Sequence, residues 1–175
     1  GFVTVIVGDA DHAEVVGLRG YAEAGSLVVH TLAGARAVRG EARLLVVAQT
    51  TFDTEAFRQI AEIITTGNTE VVVKNTICES TWNRQDEVRR LSAQVEALVI
   101  VGGAASANTQ RLAAIARPHC LRVFAVEEAS SLVPADFTGV RTVGVTSGAS
   151  TPTWLLREVV VFLEGLSPSP LRRLL

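Results

Sequence analysis

The chain contains no methionine, and its other scarcities narrow the field further. Its two cysteines, Cys78 and Cys120, have no framework spacing, which excludes a disulfide-stapled scaffold and argues for a reducing compartment. Aromatics make up only 5% of the residues while Val, Ala and Leu are plentiful, the balance expected of buried parallel strands under helices. Charge of either sign is modest, and a formal net charge of −2 leaves no basic footprint for nucleic acid. Long hydrophobic runs are missing too, because Gly, Pro or a charged residue interrupts each within about ten residues, too short to span a bilayer. No signal or transit segment is visible. These absences predict a soluble cytoplasmic protein with neither a nucleic-acid nor a membrane partner. The missing methionine, Gly1 and an immediate strand-like run (Phe2–Val7) together predict part of a longer chain, beginning inside a domain.

What is present is alternation. Phe2–Val7, Ser26–His30, Arg43–Val47 and Val71–Val73 read as strands, as do Ala97–Val101, Leu121–Val126 and Val140–Val145. Helical patterns lie between them. They run through Val15, Val16 and Leu18, over Leu32–Val38, and from an Asp53 cap through Phe57, Ile60, Ile63 and Ile64 until Gly67 closes the helix. Others extend from about Ser80 to Gln94 and from about Ser106 to Ala116, with a short one at Ala129–Leu132. Ser150 is expected to cap a last helix, with Pro152 near its first position and an end at about Leu163. The tail Ser167–Leu175 has no clear element and is expected to drape on a surface.

Alternating strands and helices predict an α/β fold of two similar modules, each with a parallel sheet and flanking helices. A loose repeat supports this: Val-Ile-Val-Gly-Asp-Ala-Asp-His near the start is echoed by Val-Ile-Val-Gly-Gly-Ala-Ala-Ser later. The boundaries are set at 1–74 for an N-terminally incomplete module, 75–150 for a second module with the Cys78 motif, and 151–175 for a helix and tail.

In open parallel sheets, ligands bind beyond the carboxyl ends of the strands. The residues delivered there are His12, Glu14, Thr50, Thr51, Cys78, Ser106, Asn108 and Ser150. This set is rich in hydroxyl, amide and N–H donors, which suits a phosphate held at helix ends. Each member also has a plainer role open to it. Ser106 and Ser150 are good caps, Thr50 and Thr51 turn residues, Asn108 a first-turn residue bonding backbone, His12 a solvated histidine, and Glu14 a complement to the helix dipole. Cys78 stands between a strand and a helix start, where a thiolate is favoured and can be a nucleophile, a redox group or a metal ligand. Its plain alternative is a small buried hydrophobe. Cys120, His30 and His119 read as structural, and Glu87, Arg89 and Arg90 as a solvated face.

Three segments are more specific. Ile77-Cys78, followed by Thr81 and Asn83-Arg84-Gln85, closely resembles the segment carrying the last cluster-binding cysteine of the LytB family, the 4-hydroxy-3-methylbut-2-enyl diphosphate reductases. Val101–Arg111 and Gly144–Pro152 resemble later segments of that family in the same order and spacing. The resemblance implies two modules of a three-module arrangement around a central site. It implies that Cys78 ligates a [4Fe-4S] cluster, whose other two ligands and two further histidines belong to an N-terminal part outside this sequence. Glu14 would relay protons to the leaving hydroxyl, Thr50 would bond near the substrate alcohol, and His12, Ser106, Asn108 and Ser150 would hold the diphosphate. The implied reaction removes an allylic hydroxyl with two electrons and two protons, giving isopentenyl and dimethylallyl diphosphates. A ferredoxin- or flavodoxin-type donor would supply the electrons, and Arg172 and Arg173 could touch it, although nothing selects that over solubility.

The chain departs from the family at several points. Ala13 replaces the proline of a His-Pro-Glu segment. Ala104 and Ala105 stand for a polar Lys-Asn pair, and Ala107 for the second of two serines, so one phosphate donor is lost. Trp82 occupies a variable position and reads as a packing residue. With one matching cysteine, the isolated chain is expected neither to hold a stable cluster nor to turn over. Two other readings stay open: a non-catalytic diphosphate-binding relative without a cluster, and an anion-binding enzyme using Cys78 as a nucleophile.

Overall fold

The structure is a computed structural model and describes residues 1–22, 25–40 and 43–166. The expected surface tail, with Arg172 and Arg173, lies outside the described residues. Short apolar runs become strands, and the amphipathic stretches between them become the covering helices. In a first unit, Gly1–Glu79, the elements are β1 (Val3–Val7), α1 (Ala13–Tyr21), β2 (Leu27–Val29), α2 (Leu32–Ala37), β3 (Leu44–Ala48), α3 (Thr54–Gly67) and β4 (Val71–Val73). All pairings are parallel and the strand order is β2-β1-β3-β4.

The second unit begins at Ser80. It contains all but the first residue of α4 (Glu79–Ser92), then β5 (Ala97–Val101), α5 (Ala107–Ala116), β6 (Arg122–Val126), β7 (Val143–Ser147) and α6 (Thr153–Leu166). Its sheet is also parallel, in the order β6-β5-β7. The expected α/β fold, with two parallel sheets and flanking helices, is therefore what the chain adopts. No helix among the described residues is long and apolar enough to cross a membrane.

Each sheet has the same kind of switch point. From β1 the chain moves to β2 on one side and later to β3 on the other; β5 is flanked in the same way by β6 and β7. Register makes the strand ends level: Val7 pairs with Val29 and Ala48, and Val101 pairs with Val126 and Ser147. Such a pair of diverging loops opens a crevice above the strand ends.

The cores explain why these particular strands hold. In β5 every residue is fully buried. Ala97, Val99 and Val101 pack with Val159 and Leu163 of α6, while Leu98 and Ile100 pack with Val88, Leu112 and Ala113 on the other face. In the first unit Phe57, Ile60 and Ile64 recur at helical spacing along α3 and cover Val5, Val46 and Ala48. Asp53 caps that helix by accepting the Ala56 N–H at 2.7 Å. Cys120 is buried and donates its thiol to carbonyl oxygens of Arg122 and Val95, in keeping with a structural cysteine.

Three local expectations are corrected. Gly67 does not close α3; it is the last helical residue, its missing side chain leaves room for the Arg39 guanidinium, and Asn68 terminates the helix by donating to the Ile64 and Val38 carbonyls. Ser150 does not cap α6, which starts only at Thr153 after a turn closed by Thr151 N–H to Gly148 O. The last strand begins at Val143 rather than Val140, because Arg141 is drawn aside by Glu96. The Arg141 amide and guanidinium both donate to the Glu96 carboxylate and hold its pKa below the ordinary glutamate range.

Candidate functional site

In the first unit the site grows from the loops after β1, β3 and β4. His12 is the N-cap of α1, its Nδ1 accepting the Glu14 N–H at 3.2 Å. A neutral ring that accepts at Nδ1 carries its proton on Nε2, which leaves an N–H to offer a ligand. Two residues on, in the first turn, the half-buried Glu14 carboxylate reaches across to the β3 loop. It accepts the Thr50 N–H at 2.8 Å and the Thr50 hydroxyl at 2.9 Å.

Cys78 arrives beside the same threonine because the chain after β4 keeps following the edge of β3. Lys74 N–H donates to Val46 O at 2.8 Å. Thr76 then stands in for a strand residue, its hydroxyl accepting from Ala48 N at 2.8 Å and donating to Ala48 O at 2.5 Å. Cys78 N–H continues the series by donating to Thr50 O at 3.0 Å. Cys78 is exposed and immediately precedes α4. His12, Glu14, Thr50 and Cys78 are thus gathered at one edge of one sheet.

Sequence reasoning missed Gln49 and Thr76. Gln49 is fully buried, its Oε1 accepting the Asp9 N–H and its Nε2 donating to Thr51 Oγ1, each at 2.9 Å. Asp9 also pairs with His30 at 2.9 Å, so His30 has a partner but not a metal-ligand set. The signal available for Gln49 was its place at a strand end directly before Thr50 and Thr51.

The second unit repeats the geometry with neutral groups. Ser106 is the N-cap of α5, its Oγ accepting the Thr109 N–H at 3.3 Å. Asn108 is half-buried, and its Oδ1 is enclosed without a hydrogen-bond partner. Side chains press on the glycine backbones here: a Cβ on Gly102 would collide with Thr109 Oγ1, and one on Gly148 would lie 3.2 Å from the same oxygen. Thr151 fastens the β7 loop by donating to Val101 O at 3.0 Å, and Ser150 is left exposed beside it. On the altered loop, Ala104 N–H donates to the Glu127 carboxylate at 2.6 Å, so an acidic side chain already occupies one backbone donor. Trp82 is exposed rather than packed.

The two units share their offsets. Gly8 leads His12 by four residues and Glu14 by six, as Gly102 leads Ser106 and Asn108. The backbone ties correspond as well: Gly8 N–H to Val29 O matches Gly102 N–H to Val126 O, and Gln49 N–H to Val7 O matches Gly148 N–H to Val101 O.

A cluster can be tested against these residues. Cys78 suits one thiolate ligand by its exposure and position. Among the described residues no three His, Cys, Asp or Glu side chains stand together as a metal site, so they do not supply the remaining ligands.

Parallel sheets whose switch points present caps, amides and hydroxyls define, as a class, an α/β protein with donor-rich loops at its strand ends. Comparison with known proteins makes the class specific. The family model described as LytB protein matches residues 1–164, and the chain belongs to the LytB family. It is 41% identical over 167 residues to the 4-hydroxy-3-methylbut-2-enyl diphosphate reductase of Geotalea uraniireducens, covering 95% of this chain and 59% of that protein. The Aquifex aeolicus protein of the same name is 38% identical over 162 residues, with coverage of 91% and 56%. A solved structure of (E)-4-hydroxy-3-methyl-but-2-enyl diphosphate reductase is 37% identical with a TM-score of 0.53, covering 94% of this chain and 60% of that one. The Plasmodium falciparum E-1-hydroxy-2-methyl-but-2-enyl-4-diphosphate reductase shares the fold, with a TM-score of 0.85 at 21% identity, and the match covers 95% of this chain and 53% of that chain. The chain therefore spans about three-fifths of the length of the curated relatives it matches, 59% in the first case.

Proposed function

We propose that this chain is part of a reductase that converts 4-hydroxy-3-methylbut-2-enyl diphosphate to isopentenyl and dimethylallyl diphosphates. The observation that carries the reading is the Glu14–Thr50 pair beside Cys78 at the β1/β3 switch point. The overall change breaks the allylic C–O bond, forms a C–H bond and releases water, consuming two electrons and two protons. A [4Fe-4S] cluster, with Cys78 as one ligand, would supply the electrons, drawn from a ferredoxin- or flavodoxin-type donor.

The chain's own residues account for the other requirements. Glu14 holds a carboxylate next to the Thr50 hydroxyl, a pair able to orient an alcohol and pass it a proton. His12 offers its Nε2–H to a phosphate oxygen, a charge-tolerant donor at a helix start. Ser106, Asn108 and Ser150 contribute neutral donors for the diphosphate; the Asn108 amide can turn its N–H₂ toward an anion because its Oδ1 has no partner to lose. At Ala13, a helix-compatible residue replaces proline at the first position of α1, so the His12–Glu14 spacing is kept.

A second reading rests on a specific observation. Ala104, Ala105 and Ala107 carry no donor side chains, and Glu127 covers the Ala104 N–H. These departures from the family's loop fit a diverged, non-catalytic relative that has lost the cluster and keeps its remaining diphosphate-facing donors. Anaerobic reconstitution of the natural-length protein with iron and sulfide separates the two. A visible absorption and electron-resonance signal that is present with Cys78 and lost in Cys78→Ser, together with turnover of the diphosphate, is the expected result. A natural-length protein that takes up no iron–sulfur centre would leave only the binding reading.

A further inference from the structure

We infer that Gln49 is a positioning residue that keeps Glu14 and Thr50 in hydrogen-bonding register; the inference rests on the reading of that pair as the one facing the substrate alcohol. The side chain is an amide with 0% exposure in the middle of the β1/β3 switch point. A buried amide is costly unless both of its ends are satisfied. Here both are, and by different loops. Oε1 takes the Asp9 N–H, in the loop that leads through His12 to Glu14, and Nε2 reaches Thr51, in the loop that carries Thr50. The backbone of Gln49 is fixed at the same time, its N–H on Val7 O at 2.8 Å and its carbonyl taking Phe52 N–H at 3.0 Å.

The tie is short and tightly packed. A Cβ on Gly8 would come within 2.9 Å of both Gln49 Cβ and Gln49 Oε1, so the glycine leaves the amide no slack toward β1. On the far side, the Asp9 carboxylate contacts the His30 ring at 2.9 Å, a second tie on the same loop. A side chain must both accept and donate here, across a fixed span. Methionine has the length without the hydrogen bonds, and asparagine has the groups but is one methylene short. Without the tie, the Glu14–Thr50 contact loses a buried support between the two loops. Small errors matter at such a pair, since about 1 Å of misplacement can cost roughly a hundredfold in rate.

The test compares Gln49→Met and Gln49→Asn with the wild type in the natural-length protein, the asparagine variant serving if the methionine variant does not fold. Amide hydrogen exchange without substrate reads the register directly. The Asp9 and Thr50 amides should exchange at least about tenfold faster in the variants, in excess of any change at Val5 and Val47 in the β1–β3 ladder. Turnover should fall about tenfold or more with KM within about threefold, the split expected when geometry rather than binding is lost. A Thr50 amide that is unchanged, or that changes no more than the ladder amides, overturns the inference whatever turnover does. If the wild type fails to reduce the diphosphate, the reductase reading falls, while the exchange rates still decide whether Gln49 sets the register.

Discussion

Thr50 serves three contacts at once: its amide and hydroxyl both donate to Glu14, and its carbonyl receives the Cys78 N–H. The backbone contacts survive any side-chain change, so the hydroxyl can be removed selectively. Under the proposed reductase reading, Thr50→Val should fold normally and lower kcat by about tenfold or more, because a hydrogen bond at the pair assigned to proton transfer is lost. Steady-state kinetics of the natural-length protein checks this, and an unaffected kcat would show that the hydroxyl has no part in turnover. At this scale the sequence announced Glu14, Thr50 and Cys78, since each follows an apolar run at a predicted strand end. It did not reveal what Gln49 and Thr76 do. Their partners lie 40 and 28 residues away, at Asp9 and Ala48, so their work exists only once the strands are side by side.

Elements were readable where local chemistry decided them. The α3 helix follows from Asp53 and the spacing of Phe57, Ile60 and Ile64, and β5 from an unbroken apolar run. The starts of β7 and α6 were not readable, because a tertiary ion pair at Glu96 and Arg141 sets one and a turn through Gly148 and Thr151 sets the other. Helix α1 invites a prediction of its own. Ala13 is its first residue, and His12 has φ −71° and ψ 135°, a conformation that a following proline prefers. Ala13→Pro should therefore raise stability by about 0.4–1 kcal/mol by restricting the unfolded chain. Chemical denaturation measures it, and a loss of stability would mean that the α1 start is constrained in some other way.

At the scale of the molecule, two sheets with separate hydrophobic clusters carry the stability. Ile64 lies in the cluster beneath α3 and Ile100 in the cluster beneath α5, with no shared member. Each is fully buried, so Ile64→Ala and Ile100→Ala should each cost about 2–5 kcal/mol. With no common partner, the losses should add in the double variant to within about 0.5 kcal/mol. Unfolding curves of the four proteins test this, and a large deviation from additivity would mean the clusters are coupled. The α/β class and its two parallel sheets were legible in the alternation of strands and helices. Strand order was not, because nothing local in the chain says that β3 returns to the far side of β1.

The shared offsets from Gly8 and Gly102 carry a historical expectation. A tandem duplication would leave such a trace: the same cap position and the same first-turn position, with different amino acids at each. The first loop carries an imidazole and a carboxylate, His12 and Glu14; the second carries a hydroxyl and an amide, Ser106 and Asn108. Genealogies built separately from the two halves should then join at a node older than any split among whole chains. Halves with unrelated roots would mean that two lineages reached the same loop independently.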